Sequence, residues 1–103
     1  MTAKSNGQPI KAKPTLQIEN ERVRVIEWRF APGAETGWHR HEYDYVVVPL
    51  TTGKLKLFDG KEERFAELVA GRSYFRPIGV EHNVTNANAH EFAFVEVEFK
   101  TPA

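Results

Sequence analysis

The chain has 103 residues, and its charges balance at 14 lysine plus arginine against 14 aspartate plus glutamate. This length suits one domain with a single core and leaves no room for a separate cofactor domain. Cysteine is absent, which excludes disulfides, thiolate metal ligands and a cysteine nucleophile. The neutral balance gives no support for nucleic-acid binding, and no apolar run approaches the roughly 18 residues of a membrane span. We therefore expect a soluble cytoplasmic protein that binds neither nucleic acid nor membrane.

The first 14 residues differ in composition from the rest of the chain. They are polar and contain Gly7, Pro9 and Pro14, so they predict a flexible N-terminal arm with no core to bury. Residues 15–103 are the predicted folded domain. The arm could still become ordered by pairing with another subunit.

Short β-type runs fill the predicted domain. β-branched and aromatic residues dominate them, and turn signals separate them at roughly the 8–12 residue spacing of a sandwich or barrel. No segment holds a sustained helical period, although residues 62–68 could pass locally for a helical turn. The predicted strands are Leu16–Ile18, Val23–Phe30, Tyr43–Val48, Lys54–Phe58, Phe65–Val69, Ser73–Arg76, Glu81–Thr85 and Glu91–Phe99.

Three of the four histidines have a spacing that suits a metal ion. His39 and His41 are two residues apart, so in an extended strand both imidazoles face the same way, and His82 could add a third from a distant strand. Three imidazoles on one side of an ion leave its other positions open for substrate or dioxygen. The alternative is that they are ordinary polar residues at strand ends. His90, in a polar turn, is expected at the surface.

The last predicted strand alternates between two partly apolar faces. Ala93, Val95, Val97 and Phe99 share one face, and Phe92, Phe94, Glu96 and Glu98 share the other. This pattern suits a strand between a barrel interior and a second covered surface. Glu96 is a candidate to face a polar cavity, and a solvated carboxylate on the outer face is an equal alternative.

The histidine segments carry two motifs that resemble those of the cupin superfamily. The second motif, G-x5-P-x-G-x2-H-x3-N, is matched by Gly71, Pro77, Gly79, His82 and Asn86. The first motif is matched by Gly33, His39 and His41, but its acidic position holds Tyr45 or, in the longer spacing, Val46. The resemblance implies an all-β fold, a single-domain jelly-roll barrel. Trp38–His41 and Arg76–Asn83 are also similar to small cupins linked to β-alanine catabolism.

The resemblance implies that His39, His41 and His82 are metal ligands. Without the carboxylate, three neutral histidines and a divalent ion carry two net positive charges, which favours a small anionic metabolite as substrate. Some cupin dioxygenases have such a three-histidine iron site. We expect a divalent transition metal, with Fe(II) first and Mn, Ni or Zn as alternatives.

Tyr45 has the same strand parity as His41, so its phenol is predicted to point into the same cavity. There it could donate a hydrogen bond to a metal-bound substrate, and a core aromatic is the equal alternative. Glu42 and Asp44 have the opposite parity. Either could replace the lost ligand only if a β-bulge shifts the register.

Three functional classes remain open at this point. The first is an Fe(II)-dependent dioxygenase or related oxidative enzyme, and the second is a non-oxidative metal-dependent isomerase or lyase with Tyr45 or Glu96 as base. The third is a non-catalytic cupin that binds a metabolite or metal. Small cupins commonly pair through their sheets or exchange N-terminal strands, so the resemblance also implies a homodimer.

Overall fold

The computed structural model describes residues 9–100, which form strands joined by turns and contain no helix. There is accordingly no helix in this part of the chain that could span a membrane. The strands are β1 (Lys13–Glu19), β2 (Val23–Phe30), β3 (His39–Arg40), β4 (Asp44–Pro49), β5 (Gly53–Phe58), β6 (Glu63–Leu68), β7 (Tyr74–Arg76), β8 (Glu81–Asn86) and β9 (Phe92–Phe99). The predicted all-β class is confirmed, and the ambiguous segment around Phe65 is a strand.

The strands form two antiparallel sheets. One has five strands in the order β1-β2-β9-β4-β7, and the other has four in the order β3-β8-β5-β6. Large apolar side chains from both sheets meet in one core, which contains Phe30, Phe92 and Phe94 from the first sheet and Leu55 and Val84 from the second. Burying this apolar surface is the main favourable term for folding.

The two faces of β9 have different environments. The face with the two glutamates, Glu96 and Glu98, is turned inward and buried, whereas Val95 and Val97 are half-buried on the outside. In the five-stranded sheet, Glu96 has Ile26 on β2 and Val47 on β4 as its cross-strand neighbours. The barrel interior therefore holds carboxylates, although the other face of β9 is more apolar.

The residues before β1 join the barrel. The backbone N–H of Ala12 donates to the Glu35 carbonyl at 2.9 Å, and the N–H of Glu35 donates to the Ile10 carbonyl at 3.0 Å. Ala12 is buried. The boundary predicted between residues 14 and 15 thus falls inside β1, and residues 1–8 of the predicted arm lie outside the described part of the chain.

Asn86, the last residue of the second motif, holds three backbone segments together. Its Nδ2 lies within 3.2 Å of the carbonyl oxygens of Phe30, Ala31 and His90. Its Oδ1 accepts 2.8 Å hydrogen bonds from the backbone and side-chain nitrogens of Asn88. Because the side chain is 2 % exposed, these bonds replace water almost completely. The motif asparagine therefore has a structural role in this chain.

We expect Asn86→Asp to destabilise the protein strongly. The substitution places a carboxylate oxygen where a donor now faces three carbonyl oxygens, so the free energy of unfolding should fall by about 3 kcal/mol or more. Asn20→Asp is the matched control, since Asn20 uses only its Oδ1, which accepts from the backbone N–H groups of Arg22 and Val23. Urea unfolding should show the control within about 0.5 kcal/mol of wild type. Equal losses in both variants would contradict this role.

Candidate metal centre

Backbone pairing brings the three histidines of the motifs together. β3 pairs antiparallel with β8 so that His39 lies opposite His82. His41 follows β3, where its N–H donates to the Val80 carbonyl and its carbonyl accepts from the Gly79 N–H, both at 2.9 Å. Gly79 has φ +99°, which an L side chain rarely adopts, so glycine is needed for this turn. The two motifs thus position one another through main-chain hydrogen bonds.

The three imidazoles converge through their Nε2 atoms. The Nε2 of His41 lies 3.0 Å from that of His39 and 3.2 Å from that of His82. Two nitrogens that bind one ion at about 2.1 Å lie about 3.0 Å apart when the bonds meet at right angles. A single Nε2 proton on His41 could not satisfy both neighbours, whereas one ion could accept a lone pair from all three. The cluster therefore fits a divalent metal ion and could hold one.

The orientation of His39 is fixed by its other ring nitrogen. Nδ1 lies 2.9 Å from the carbonyl oxygen of Gly37, to which it can only donate, so Nε2 is left with its lone pair. The Gly37 turn is held by Asn83, whose Oδ1 accepts from the Gly37 N–H at 3.0 Å, and by the Thr36 hydroxyl, which donates to the Gly37 carbonyl at 2.9 Å. In metal-binding histidines, the ring nitrogen that does not bind the metal typically donates such a hydrogen bond.

Burial favours the neutral forms of His41 and His82. Desolvation, with smaller effects of His39 and His82, lowers the pKa of His41 to about 3. Desolvation also lowers the pKa of His82 to about 4, with smaller effects of His39, Arg64 and Arg76. Neutral imidazoles carry the lone pairs that metal coordination requires.

Tyr45 occupies the position where the motif has its acidic residue. Its ring stacks on the His41 ring with the centroids 3.9 Å apart and an angle of 18° between the planes. The side chain is 2 % exposed, belongs to the core and lines the internal cavity, so both sequence-based interpretations describe part of its environment. Burial and the nearby Glu96 raise the pKa of the phenol, which therefore stays protonated at neutral pH.

Neither acidic residue between His41 and Tyr45 replaces the missing carboxylate. Glu42 is exposed, and the Oδ1 of Asp44 accepts a 2.8 Å hydrogen bond from the backbone N–H of Ile78. Asp44 thereby braces the turn that precedes His82. His90, the fourth histidine, is exposed and lies outside the cluster, as the sequence predicted.

A different carboxylate lies beside the cluster. The Oε2 of Glu96 is 4.0 Å from His41 Nε2, and its Oε1 accepts a 3.2 Å hydrogen bond from Trp28 Nε1. Burial, together with the charge of Glu98, raises the pKa of Glu96 to about 7. Glu96 and Glu98 form a second compact group with His41 but not with His39 and His82, so Glu96 flanks the three-histidine cluster. The cavity-facing alternative for Glu96 is confirmed.

Side chains from both sheets line a cavity of about 140 Å³ beside the cluster. Since one water occupies about 30 Å³ in the liquid, this space suits a small metabolite and is below the range of drug-sized ligand sites. Its polar lining consists of Tyr45, Arg64, Tyr74, Arg76, His82 and Glu96, and its apolar lining of Val47, Leu55, Leu57, Ala66, Val80, Val84 and Phe94. Sequence reasoning did not identify the two arginines.

Comparison with known proteins places the fold and the motifs in one family. The model of the cupin domain matches residues 26–98. A solved cupin domain from Bordetella pertussis Tohama I superposes with a TM-score of 0.89, at 57 % identity over 91 % of this chain and 98 % of that one. The protein TT1209 from Thermus thermophilus superposes with a TM-score of 0.69, at 27 % identity over 95 % of this chain and 91 % of that one. The architecture is therefore the predicted jelly-roll barrel.

The chain belongs to the cupin family. It is also similar to a curated relative, the β-alanine degradation protein BauB of Pseudomonas aeruginosa PAO1. The two are 62 % identical over 95 residues, which cover 92 % of this chain and 99 % of the relative.

The environment of Glu96 predicts a pH-dependent difference between wild type and Glu96→Gln in chelator-treated protein. A carboxyl whose folded pKa is raised from 4.5 to about 7 binds more protons in the folded state between these values, so its contribution to stability falls as the pH rises. Glu96→Gln has no carboxyl to ionise and does not lose this stability. Its free energy of unfolding should therefore exceed that of wild type by roughly 3 kcal/mol above pH 7.

Urea unfolding of both proteins from about pH 4 to pH 8 measures this difference. Titration of His41 and His82 changes the stability with pH in the direction opposite to that of Glu96. This change is the same in both proteins and cancels in the comparison, provided that the pKa values of the two histidines are unchanged. Below about pH 4.5 the two proteins should be equally stable, because protonated Glu96 resembles glutamine. A difference that is constant with pH would contradict the buried, desolvated carboxyl.

Proposed function

We propose that this protein is a metal-dependent cupin enzyme that uses Fe(II) for dioxygenase or related oxidative chemistry on a small anionic metabolite. The observation that carries the proposal is the convergence of three imidazole Nε2 atoms beside a small cavity, with that of His41 3.0 Å from that of His39 and 3.2 Å from that of His82. His39, His41 and His82 would hold the ion. Fe(II), when bound, supplies the redox chemistry and the positions at which substrate and dioxygen meet.

The neighbouring side chains have separate roles in this proposal. Tyr45 keeps its phenol proton and donates a hydrogen bond to substrate oxygen in the cavity. Stacking of its ring also limits rotation of His41. Glu96 supplies negative charge near His41 without occupying the position of the motif carboxylate. The apolar walls exclude water, which strengthens these electrostatic interactions.

The substrate class follows from size and charge. A cavity of about 140 Å³ accommodates a molecule of a few heavy atoms. A divalent ion held by three neutral imidazoles favours an anionic oxygen ligand. The name of the relative that is 62 % identical associates it with β-alanine degradation, which supports a short carboxylate as the substrate of this chain.

A second candidate is a non-oxidative isomerase or lyase in which Mn²⁺, Ni²⁺ or Zn²⁺ acts as Lewis acid. Glu96 favours this candidate, because a buried carboxyl with a pKa of about 7 is poised to remove or return a proton at neutral pH. Such an enzyme would exchange substrate hydrogen with solvent and consume no dioxygen.

We also propose that the protein forms a homodimer through the outer face of its five-stranded sheet. One cross-strand row on this face is apolar from edge to edge: Ile18, Val25, Val97, Val46 and Phe75. Ile18 is 49 % exposed and Phe75 is 54 % exposed. All seven residues of β1 are exposed, so this edge also lacks a cover within the described chain. A second copy would bury the row symmetrically.

Metal analysis of untagged protein tests the proposed centre. After anaerobic reconstitution with Fe(II), we expect about one iron per chain. His41→Ala and His82→Ala should lose nearly all of it, because each leaves two of three ligands, and the exposed control His90→Ala should retain it. Retention of iron by both ligand variants, or no iron in wild type, would contradict the metal centre.

Oxygen uptake by the iron-loaded protein, measured with short oxo- and hydroxycarboxylates, then tests the dioxygenase assignment. Substrate-dependent uptake that is lost in His41→Ala is the expected result. Exchange of substrate protons in deuterated buffer without oxygen consumption would instead favour the Lewis-acid isomerase or lyase over the dioxygenase. Ligand binding without either reaction under any metal would indicate a binding protein.

Light scattering tests the dimer. Wild type should show twice the chain mass at micromolar concentration, and Ile18→Glu and Phe75→Glu should shift it toward monomer, since each buries a charge in the apolar row. Phe65→Glu is the matched control: it replaces a 60 % exposed aromatic residue of β6, in the other sheet. A monomeric wild type, or equal effects of all three substitutions, would contradict this interface.

A further inference from the structure

Two arginines lie on the outermost strands of the two sheets, have the inward parity of those strands and remain exposed to solvent. Arg64 lies on β6, at the edge of the four-stranded sheet, and Arg76 lies on β7, at the edge of the five-stranded sheet. Residues two apart on a strand face the same side, so Arg64 shares a face with Ala66 and Arg76 shares a face with Tyr74. Ala66 and Tyr74 both line the cavity. The side chains of both arginines also line this cavity beside the histidine cluster. Two positive charges from opposite sheets thus border one small cavity at its solvent-exposed side.

The two guanidinium groups have few partners of their own. Across residues 9–100, neither forms an ion pair with a carboxylate within 4.0 Å, whereas the outward Glu63 beside Arg64 pairs with Lys56 at 3.6 Å. Arg76 lies over the Tyr74 ring, 4.7 Å from its centroid, and its Nη1 donates to the Phe75 carbonyl at 3.0 Å. Stacking and one hydrogen bond orient this guanidinium and leave most of its donors for another acceptor.

The cavity lining combines cationic, apolar and imidazole groups. The arginines stand on its edge strands, Leu55, Leu57 and Val84 provide apolar wall, and His82 connects it with the imidazole cluster. Arg76 is the cross-strand neighbour of Tyr45, which stacks on His41. A ligand that contacts all three kinds of group has an anionic head, a short apolar part and a second polar group.

We infer that Arg64 and Arg76 form a carboxylate-binding subsite that selects short carboxylic acids and directs their other end toward the histidine cluster. A guanidinium offers two parallel N–H donors that match the two oxygens of a carboxylate. The cavity volume limits the chain between the carboxylate and the second polar group to a few carbons. The inference deepens the proposed function, on which it rests for the role of the cluster.

Arginines that point inward from edge strands also have a structural explanation. Inward charges on edge strands discourage pairing with other chains, and this protection requires no ligand. The two explanations make different predictions. A protective charge gives no preference for carboxylates over neutral molecules of the same shape, whereas a subsite does.

The test uses full-length, chelator-treated protein, so its outcome does not depend on whether a metal binds. Propionate and its neutral isostere propionamide are titrated at pH 7.5 and followed by NMR, including the side-chain N–H signals of the arginines. We expect propionate to bind at least about tenfold more tightly than propionamide. Arg64→Gln and Arg76→Gln should each remove most of this preference. Arg72→Gln should retain it, since Arg72 is exposed like the other two arginines but does not line the cavity.

Several results would overturn the subsite. Equal binding of propionate and propionamide to wild type would do so without any variant, even if the arginine variants failed to fold. Propionate binding that persists unchanged in folded Arg64→Gln and Arg76→Gln would also exclude it. Tighter binding of inorganic phosphate than of propionate would reject the carboxylate assignment. Failure of the metal centre is measured separately as missing iron and would leave a carboxylate preference intact.

Discussion

The antiparallel pairing of β3 with β8 is the constraint on which the candidate site depends. This short pairing places His39 opposite His82, and the backbone bonds of His41 to Gly79 and Val80 continue it beyond the strand. Side chains alternate between the faces of a strand, so a slip of one residue would turn His82 away from the other imidazoles. Two consecutive residues in β3 are therefore sufficient, because the turn of the second motif holds the register.

The free energy of this arrangement is unfavourable locally and is offset elsewhere in the barrel. Desolvation of His41, His82 and Glu96 disfavours their charged forms, and the converging imidazoles cannot all satisfy one another. The apolar core and the hydrogen bonds of Asn86 oppose this cost. The fold thus holds a site whose own free energy is unfavourable. A ligand that binds this site only in the folded state would stabilise the protein.

The sequence predicted the parts of the site that local rules govern. Strand spacing and turn residues predicted a sandwich or barrel, and the resemblance of the two motifs to those of cupins implied the jelly-roll barrel. The two-residue spacing of His39 and His41 predicted their shared face. The role of Glu96 could not be decided, because both faces of β9 are partly apolar and only the pairing with β2 and β4 shows which one is inside. Arg64 and Arg76 were missed for a similar reason: each looks like an ordinary exposed charge, and only the folded structure shows that both line one cavity.

Loss of the motif carboxylate changes the charge balance of the whole cavity. An aromatic ring, Tyr45, stands at that position, and the nearest buried carboxylate, Glu96, lies to one side of His41 with a pKa near neutrality. A divalent ion at the cluster would then keep a positive charge that the protein only partly compensates, while Arg64 and Arg76 add two more at the edges. On the proposed function, these three sources of positive charge around about 140 Å³ would leave much of the compensating negative charge to the ligand itself. Specificity for a short anion would then come from this missing charge as much as from the shape of the barrel.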